Sequence, residues 1–459
     1  MISLLIYRIL LLLLLPLILT FLLVRSKNNK AYRQRLFERL GYFPKPCKQG
    51  GIVVHAASVG EVIALKSFIE KLLLTYPDLP ITITSFTPTG SAQIKKLFAE
   101  RVQHGYLPLD ILPCTTLFLH RLKPKMMIFM ETELWPNLVA QCTKKHVKLL
   151  LINGRLSKKS LTSYAKVSTL IKPCLNLFDK ILCQSQENLE HFLQLGAHES
   201  HSVNSGNLKF DISINDQVMT KKEELSKLLF HKLNTPDFNA DNNQPKRTLW
   251  LVASTHEGDE AIALKAFKEL LVKYPTLLLV LVPRHPERFE HVAKLCINQD
   301  LVLARRSENT LLNDEHVWLL DSLGELMAAF ALSDIVTMGG SFSEVGGHNP
   351  LEPALFNKPI IVGHNMSNFN EVMQQLRLEN AIIELSSKEP STQLVDEITT
   401  LLQQPTKQKT FGENALKVVL QNQGASSYTL NQVKNILPAL DTDNKKNNAN
   451  YKPKLPGEH

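Results

Sequence analysis

Short apolar runs alternate with amphipathic stretches along most of this 459-residue chain. In the first half, the runs predicted to be strands are Ile52–His55, Ile81–Ser85, Met126–Met130, Lys148–Ile152, Lys180–Cys183 and Ser202–Asn204. The segments between them, such as Glu61–Leu74 and Glu187–Leu195, carry apolar residues at the three- and four-residue spacing of helices with one buried face. Strands that are apolar throughout and separated by helices predict a parallel sheet that is covered on both faces.

The same alternation restarts after a polar interruption, predicted to be a linker, at residues 216–247. The strands predicted beyond it are Thr248–Ala253, Leu277–Val282, His316–Leu320, Asp334–Met338 and Pro359–Val362. The pattern therefore predicts an α/β protein with two Rossmann-like, doubly wound domains, at 30–215 and 248–438, followed by a polar tail at 441–459. Ligands of such folds bind beyond the carboxyl ends of the strands, so we expect a site in a cleft between the domains.

The N-terminal segment, residues 1–25, is predicted to be a membrane anchor. Ile9 to Val24 is almost continuously apolar, and with the preceding residues it approaches the roughly 20 residues that cross a bilayer core. A secretory signal peptide is the competing interpretation, but no small-residue cleavage site follows the apolar run. The basic residues that do follow place this flank in the cytoplasm by the positive-inside rule: Arg25, Lys27, Lys30, Arg33 and Arg35. Arg8 and Pro16 leave open whether the helix spans the bilayer or lies half inserted.

Composition excludes several classes of protein. Six cysteines are too few for a disulfide scaffold in a chain of this length. They contain no C-x-x-C pair and so suggest no zinc ribbon, and they fit reduced thiols in the cytosol. The formal charge of +9 is not arranged as a basic stripe interleaved with aromatic residues, so no nucleic acid is expected as a partner. The histidines lack metal-ligand spacing and the Asp441–Asp443 pair lies in the polar tail, so no metal or other cofactor is expected.

The most informative stretch runs from Gly339 to Pro353, between a predicted strand and a helix. Its glycine pairs allow a backbone to approach a ligand closely. Asn349 suits the N-cap position and Pro350 the first helical position, so the stretch predicts an anion site at a helix N-terminus. Glu352 lies in the first turn, where it could complement the helix dipole or accept hydrogen bonds from ribose hydroxyls. A flexible loop before an ordinary helix is the alternative.

Acidic residues follow two predicted strands in the first half. Glu61 ends an S-x-x-E pattern that begins at Ser58, the signature of a capping box, so a purely structural role is one interpretation. The other is general base catalysis, because a carboxylate at the carboxyl end of a strand can accept a proton from a hydroxyl. Glu131 and Glu133 leave another buried strand, where acidic residues without partners would be costly.

Cationic residues occupy similar positions after strands. Arg155 and Lys209 could neutralise an acidic substrate in the first half. In the second half, Arg284 stands where a strand ends and could bind a phosphate or a base edge, whereas Arg288 is predicted to be a solvated helix residue. The loop Asp321–Leu326 could offer backbone amides to a nucleotide.

Seven sequence strings, in order between about residues 30 and 370, closely resemble those of the bacterial 3-deoxy-D-manno-octulosonic acid (Kdo) transferases of lipopolysaccharide synthesis. They are HAASVGE, ETELWPN, NGRLS, GNLKFD, ASTHEGDE, PRHPERF and GGSFSEVGGHNPLEPA. The resemblance implies a GT-B fold and an inverting, metal-independent glycosyltransferase. It further implies transfer of Kdo from CMP-Kdo to the lipid A precursor lipid IVA at the cytoplasmic face of the inner membrane.

The resemblance also assigns roles to residues. Glu61 is implied to be the catalytic proton acceptor, and Glu131 and Lys209 are implied to stabilise the transition state. The implied contacts to CMP are Pro283, Arg284, Gly324, Glu325, Leu326, Asn349, Pro350, Leu351 and Glu352.

Two other functions remain open at this point. A nucleotide-sugar epimerase on the same two-domain scaffold would explain the cleft and the phosphate loop, but it would need neither an anchor nor a lipid acceptor. A membrane-tethered binding protein would bind the nucleotide sugar without consuming it.

Overall fold

In the computed structural model, which describes residues 2–28, 34–229 and 247–437, the chain divides into two units. The first runs to Asp211 and resumes at Gln423; the second is Ile212–Asn422. The helices of the first unit before Asp211 are α1 Ile2–Asn28, α2 Leu36–Arg39, α3 Val59–Ala64, α4 Lys66–Thr75, α5 Pro88–Phe98, α6 Leu112–Leu122, α7 Pro136–Lys144, α8 Lys158–Ala165, α9 Ser168–Leu175 and α10 Gln186–Leu195. Its strands are β1 Ile52–His55, β2 Ile81–Ser85, β3 Gln103–Tyr106, β4 Met126–Met130, β5 Lys148–Gly154, β6 Lys180–Cys183 and β7 Ser202–Asn204.

The strands of the first unit form a parallel sheet in the order β3-β2-β1-β4-β5-β6-β7. Alternate residues of β1 enter different cores. Ile52 and Val54 pack in one cluster with Phe68, and Val53 packs in the other with Phe118. Because side chains alternate across a strand, both faces of the sheet are covered, which confirms the interpretation of continuously apolar runs as buried parallel strands.

The second unit repeats this plan. Its helices are α11 Asp216–Leu229, α12 Asp259–Lys273, α13 Phe289–Ile297, α14 Leu326–Leu332, α15 Leu351–Leu355, α16 Asn370–Leu378, α17 Pro390–Gln403 and α18 Pro405–Asn422. Its strands are β8 Thr248–Thr255, β9 Leu277–Pro283, β10 Leu303–Arg305, β11 Val317–Leu319, β12 Ile335–Met338, β13 Ile360–Val362 and β14 Ile383–Glu384. They form a second parallel sheet in the order β10-β11-β9-β8-β12-β13-β14. The predicted fold of two Rossmann-like α/β domains is therefore confirmed for each unit by itself.

The chain returns to the first unit at its C-terminal end. Helix α19, Ala425–Ile436, buries Ala425, Leu430 and Val433 in the cluster that contains β1, and the Asp211 carboxylate accepts hydrogen bonds from the amides of Gly424, at 2.6 Å, and Ser426. The predicted second domain at 248–438 therefore includes a helix that belongs to the first unit. The hydrophobic pattern predicts a buried face for such a helix but does not indicate which sheet covers it.

The first part of the predicted linker at 216–247 is a helix, so that prediction is wrong for residues 216–229. Residues 216–229 form α11, which belongs to the second unit and buries Leu225 and Leu229. Lys221 Nζ donates a hydrogen bond to the carbonyl oxygen of Gly324 at 2.9 Å. The polar exposed face of α11 dominates the local composition, and this explains why the segment resembles a linker. Residues 230–246 and the predicted tail at 441–459 lie outside the described residues.

Helix α1 is long and apolar enough to cross a membrane. Its segment Ile2–Val24 has a mean hydropathy of 2.7, and Arg8 is its one charged residue. Pro16 lies inside the helix, and the Thr20 hydroxyl donates to the Pro16 carbonyl at 2.8 Å. Length and composition thus fit the predicted anchor.

Candidate active site

The strand order reverses in the first sheet between β1 and β4. Glu61 lies in the first turn of α3, directly after the loop that leaves β1, and Glu131 and Glu133 follow β4 on the loop that enters α7. Neighbouring connections that leave the carboxyl edge of a parallel sheet at such a switch point form the usual ligand crevice of this architecture. The acids selected from the sequence therefore lie in the two strand-to-helix connections where a site is expected.

Hydrogen bonds hold the Glu61 carboxylate in place. Its Oε2 accepts from the amide of Ala57 at 2.8 Å, and its Oε1 accepts from the Ser58 hydroxyl at 2.7 Å. Ser58 is the N-cap of α3 and accepts from the amide of Glu61, while the carboxylate of Glu61 returns to the amide of Ala57, so the S-x-x-E pattern does cap the helix. Burial nevertheless raises the pKa of Glu61 above its ordinary value, although both hydrogen bonds lower it and the charge of Glu133 raises it further. A carboxylate whose pKa is raised is a stronger proton acceptor, so capping and base catalysis are compatible here.

A polar cluster adjoins this carboxylate. The fully buried His55 places Nε2 at 3.4 Å from Glu133 Oε2 and Nδ1 at 3.0 Å from Thr84 Oγ1. Trp135 Nε1 donates to the same Glu133 oxygen at 2.9 Å. The sequence indicated two acids in this loop, but only Glu131 was given a role; the structure shows that Glu133 acts electrostatically on Glu61.

Strained backbone marks the ends of β4 and β5. Glu131 has φ +57° and Asn153 has φ +51°, in the left-handed region that residues other than glycine seldom adopt. The Asn153 Oδ1 accepts from the amide of Leu208 at 2.9 Å, and Asn207 Oδ1 accepts from the amide of Lys209 at 3.0 Å. The first of these bonds fastens the segment that carries Lys209 to the end of β5, and the second orders the turn at Lys209 itself. Strain of this kind concentrates at functional sites, which supports a role for this edge of the sheet.

In the second sheet, β8 and β12 flank the corresponding switch point. Asp259, at the start of α12, uses Oδ2 to accept from the amide of His256 at 2.8 Å and from the amide of Gly340 at 2.6 Å. One carboxylate thus joins the loop after β8 to the glycine-rich loop after β12. Burial raises the pKa of Asp259 to about 6, against the effect of these two bonds. At Gly339 a Cβ atom would come within 2.6 Å of the Ser254 carbonyl oxygen, so the close approach of the loops requires glycine.

A buried ion pair supports the same loops and corrects one prediction. Arg288 Nη2 lies 2.9 Å from Glu260 Oε2, and Thr255 Oγ1 donates to Glu260 Oε1 at 2.7 Å. The exposed fractions of the Arg288 and Glu260 side chains are 17% and 1%. The prediction that Arg288 is a solvated helix residue is therefore wrong, because its guanidinium turns back toward the sheet and neutralises a buried acid.

Three histidines from three loops meet beside these residues. The rings of His256 and His348 stack with centroids 5.1 Å apart and Nε2 atoms 2.8 Å apart, and the His285 ring lies 5.3 Å from His256. Burial, followed by the charge of Arg284, lowers the pKa of His348 to about 3. The pair is therefore neutral near pH 7, one ring donating to the other. Among the described residues no group of three or more His, Cys, Asp or Glu side chains could hold a metal ion.

The nine predicted nucleotide contacts lie at the carboxyl ends of β9, β11 and β12: from the last residue of β9 into the loop after it, in the loop after β11 up to the first residue of α14, and after β12 into the first turn of α15. Arg284 is exposed at the end of β9, and its amide donates to the Thr255 carbonyl at 3.0 Å. Asn349 Oδ1 caps the amide of Leu351 at 3.2 Å, and its Nδ2 lies 3.4 Å from Glu352 Oε1. Helix α15 begins at Leu351, one residue later than predicted, so Pro350 occupies the N-cap position.

Two of these predicted residues have buried side chains that a ligand could hardly contact. Leu351 is fully buried, so its contact would have to come from the backbone. Glu325 is 7% exposed, and its carboxylate accepts from Arg306 Nη2 at 2.9 Å and from the Ser322 hydroxyl. Gly324 next to it has φ +82° and is exposed, as a loop that presents its backbone requires.

Comparison with known proteins gives a consistent result. Residues 34–212 match the family described as 3-deoxy-D-manno-octulosonic-acid transferase (kdotransferase), and residues 247–418 match glycosyl transferases group 1. The chain is 38% identical to the 3-deoxy-D-manno-octulosonic acid transferase of Haemophilus influenzae, over 93% of this chain and 97% of that protein. It is 34% identical to the enzyme of the same name from Rickettsia typhi, over 85% of this chain and 80% of that protein.

Solved structures show the fold. The UDP-GlcNAc 2-epimerase of Neisseria meningitidis aligns with a TM-score of 0.52 at 15% identity, over 84% of this chain and 99% of that one. A glycosyltransferase from Rickettsia africae gives the same TM-score and identity over 85% and 99% of the two chains. At this identity the likeness concerns architecture alone, and the sequence relatives decide the family. The chain belongs to the 3-deoxy-D-manno-octulosonic acid transferases, a family of glycosyltransferases.

Proposed function

We propose that this enzyme transfers Kdo from CMP-Kdo to lipid IVA, with inversion at the anomeric carbon and without a metal ion, at the cytoplasmic face of the inner membrane. The observation that carries the proposal is the Glu61 carboxylate, held by Ala57 and Ser58 at the switch point of the first sheet, in a chain that is 38% identical to a named Kdo transferase.

Glu61 acts as the general base. It removes the proton from the acceptor hydroxyl while that oxygen attacks the anomeric carbon on the face opposite to CMP, and this displacement inverts the configuration. Its raised pKa matches this task, because a carboxylate with a raised pKa binds the proton of the acceptor hydroxyl more firmly. Glu131 and Lys209, at the same edge of the sheet, stabilise the transition state.

Fixed cations and backbone amides take the place of a metal. Kdo carries a carboxylate, CMP leaves as an anion and lipid IVA carries phosphates. Arg284 and the loops at Gly324 and Asn349 offer donors for such groups, and preorganised donors stabilise developing charge without reorganisation. Helix α1 holds the enzyme at the bilayer, where the acceptor resides.

The decisive experiment is mass spectrometry of lipid IVA after incubation with the enzyme and CMP-Kdo. A transferase adds the mass of Kdo to the lipid and releases CMP only when the acceptor is present. Donor conversion without lipid would indicate an epimerase, and binding without consumption would indicate a tethered binding protein.

Replacing Glu133 with glutamine is expected to move the acidic limb of the pH–rate profile to lower pH. The negative charge of Glu133 raises the pKa of Glu61, so its removal lowers that pKa and the base ionises at lower pH. The measurement is kcat/KM between pH 4 and 8, and Glu70→Gln, on the exposed side of α4, is the matched control. An acidic limb that stays in place would show that Glu61 does not govern it.

Replacing Asp259 with alanine is expected to raise the KM for CMP-Kdo roughly 30-fold, the effect of about 2 kcal/mol for two hydrogen bonds. The substitution removes the carboxylate that joins the loops at His256 and Gly340, and each lost hydrogen bond contributes about 1 kcal/mol to their ordering. Initial rates over a range of donor concentrations measure the effect. Asp259→Asn keeps an acceptor oxygen and is expected to retain most of the affinity; equal KM values for both variants would contradict this role.

A further inference from the structure

Helix α1 lies along the first unit instead of leaving it end-on. The Ser3 hydroxyl donates to the Thr169 carbonyl oxygen on α9 at 2.9 Å. Further along the helix, apolar side chains spaced by four and three residues pack against one small cluster: Leu11, Leu15 and Ile18 against Leu109, Ile111 and Cys114. From residue 3 to residue 18 the docked length is roughly 22 Å at 1.5 Å per residue.

Two polar side chains fix this arrangement. The Tyr7 hydroxyl donates to Asp110 Oδ2 at 2.9 Å, and Arg8 Nε donates to Asn137 Oδ1 at 2.8 Å. Asp110 is 4% exposed and also accepts from the amides of Asn137, at 2.9 Å, and Leu138, at 2.8 Å, at the start of α7. We call Tyr7, Arg8, Asp110 and Asn137 the latch. It explains why a charged residue stands in an otherwise apolar segment.

The latch lies at the catalytic edge of the sheet. Asp110 follows β3, and Asn137 opens α7 directly after the loop that carries Glu131 and Glu133. The helix is therefore bonded to the segment that presents the candidate catalytic acids.

A docked helix of this kind cannot also cross the bilayer. A spanning helix needs about 20 residues within the hydrocarbon core, whereas α1 is docked from Ser3 to Ile18 against helices and loops of the first unit, which would have to enter the core with it. The remaining faces of α1 are exposed and apolar, which suits them to contact lipid; among the most exposed side chains are Leu5, Ile6, Leu13 and Leu17.

The charge of the neighbouring helices complements an anionic membrane surface. Between Ser157 and Phe178, which includes α8 and α9, the chain carries four lysines and no acidic residue: Lys158, Lys159, Lys166 and Lys172. All four are exposed, and α9 is the helix that contacts Ser3. Basic residues beside an apolar helix add roughly 1 kcal/mol each of attraction to anionic lipid.

We propose that α1 is an in-plane membrane helix, docked sideways by the latch, which holds the carboxyl edge of the first sheet at the headgroups of an anionic leaflet. This inference rests on the membrane association included in the proposed function and decides between the two modes of insertion that the sequence left open.

Cross-linking tests the docking without any assay of transfer. Ser3→Cys with Thr169→Cys is expected to give an intramolecular adduct with a short bis-maleimide in native membranes, identified by mass spectrometry. Leu17→Cys with Thr169→Cys is the control, because Leu17 lies roughly 21 Å further along the helix. The native cysteines, five buried and Cys47 half-buried, give the background in the parent chain. A missing Ser3–Thr169 adduct, or equal yields for both pairs, would overturn the proposal.

Activity tests the latch. Tyr7→Phe and Arg8→Leu are each expected to lower the transfer rate on lipid IVA in anionic vesicles, roughly fivefold per hydrogen bond lost, and to leave the rate on detergent-dispersed acceptor unchanged. Equal effects on both forms of acceptor, or none, would show that the latch does not orient the enzyme at a bilayer. If the parent chain transfers nothing in either assay, the proposed function fails while cross-linking still decides the docking.

Discussion

Replacing Glu61 with glutamine is expected to lower the rate of Kdo transfer by roughly 10²- to 10⁴-fold, the usual contribution of a positioned general base. The amide has the shape of the carboxylate but cannot accept the proton of the acceptor hydroxyl. The measurement is kcat with saturating CMP-Kdo and lipid IVA, together with the affinity for CMP-Kdo, which we expect to be unchanged because the residues proposed to bind the donor lie in the second unit.

The structure makes this substitution a clean test. Glutamine serves as well as glutamate at the third position of a capping box, so α3 keeps its N-terminal cap and the fold is preserved. Glu70→Gln makes the same chemical change on α4 of the same unit, at an exposed ion pair with Arg101, and is expected to leave the rate near that of the parent chain. Near-normal turnover of Glu61→Gln would remove Glu61 from the mechanism.

The sequence predicted most of the fold because fully buried strands are recognisable from their apolar residues. Strands such as β4, whose five residues are all buried, appear as unbroken apolar runs. The strand β3, Gln103–Tyr106, was missed because it lies at the edge of its sheet, where half-buried Gln103 and His104 interrupt the apolar pattern. The short strands β10 and β14 were also missed: they lie at the two edges of the second sheet, and each contains a charged residue, Arg305 or Glu384, in place of a continuous apolar run.

The candidate site was predicted only in part, for a different reason. The strand-to-helix connections that place Glu61 and Glu131 follow strands, so their positions at the carboxyl edge could be derived from the alternation of elements. The contacts that tune the site join residues far apart in the chain. His256 meets His348 across 92 positions, and Asp259 meets Gly340 across 81. A local pattern contains no information about such pairs, since they depend on which strands become neighbours.

The second large effect is expected on the stability of the second unit, when the ion pair between Arg288 and Glu260 is broken. Arg288→Ala is expected to lower the free energy of unfolding of the second unit by about 3 to 5 kcal/mol, because it leaves a buried carboxylate without its cation. Arg288→Met with Glu260→Gln removes both charges and keeps similar volumes, so this double variant is expected to recover most of the loss.

Denaturant unfolding followed by tryptophan fluorescence measures this free energy, since Trp250 and Trp318 are both buried in this unit. If the double variant were as unstable as Arg288→Ala, the loss would come from packing and not from the uncompensated charge. Recovery of the free energy of unfolding in the double variant would therefore show that the ion pair is needed to neutralise the buried Glu260 carboxylate.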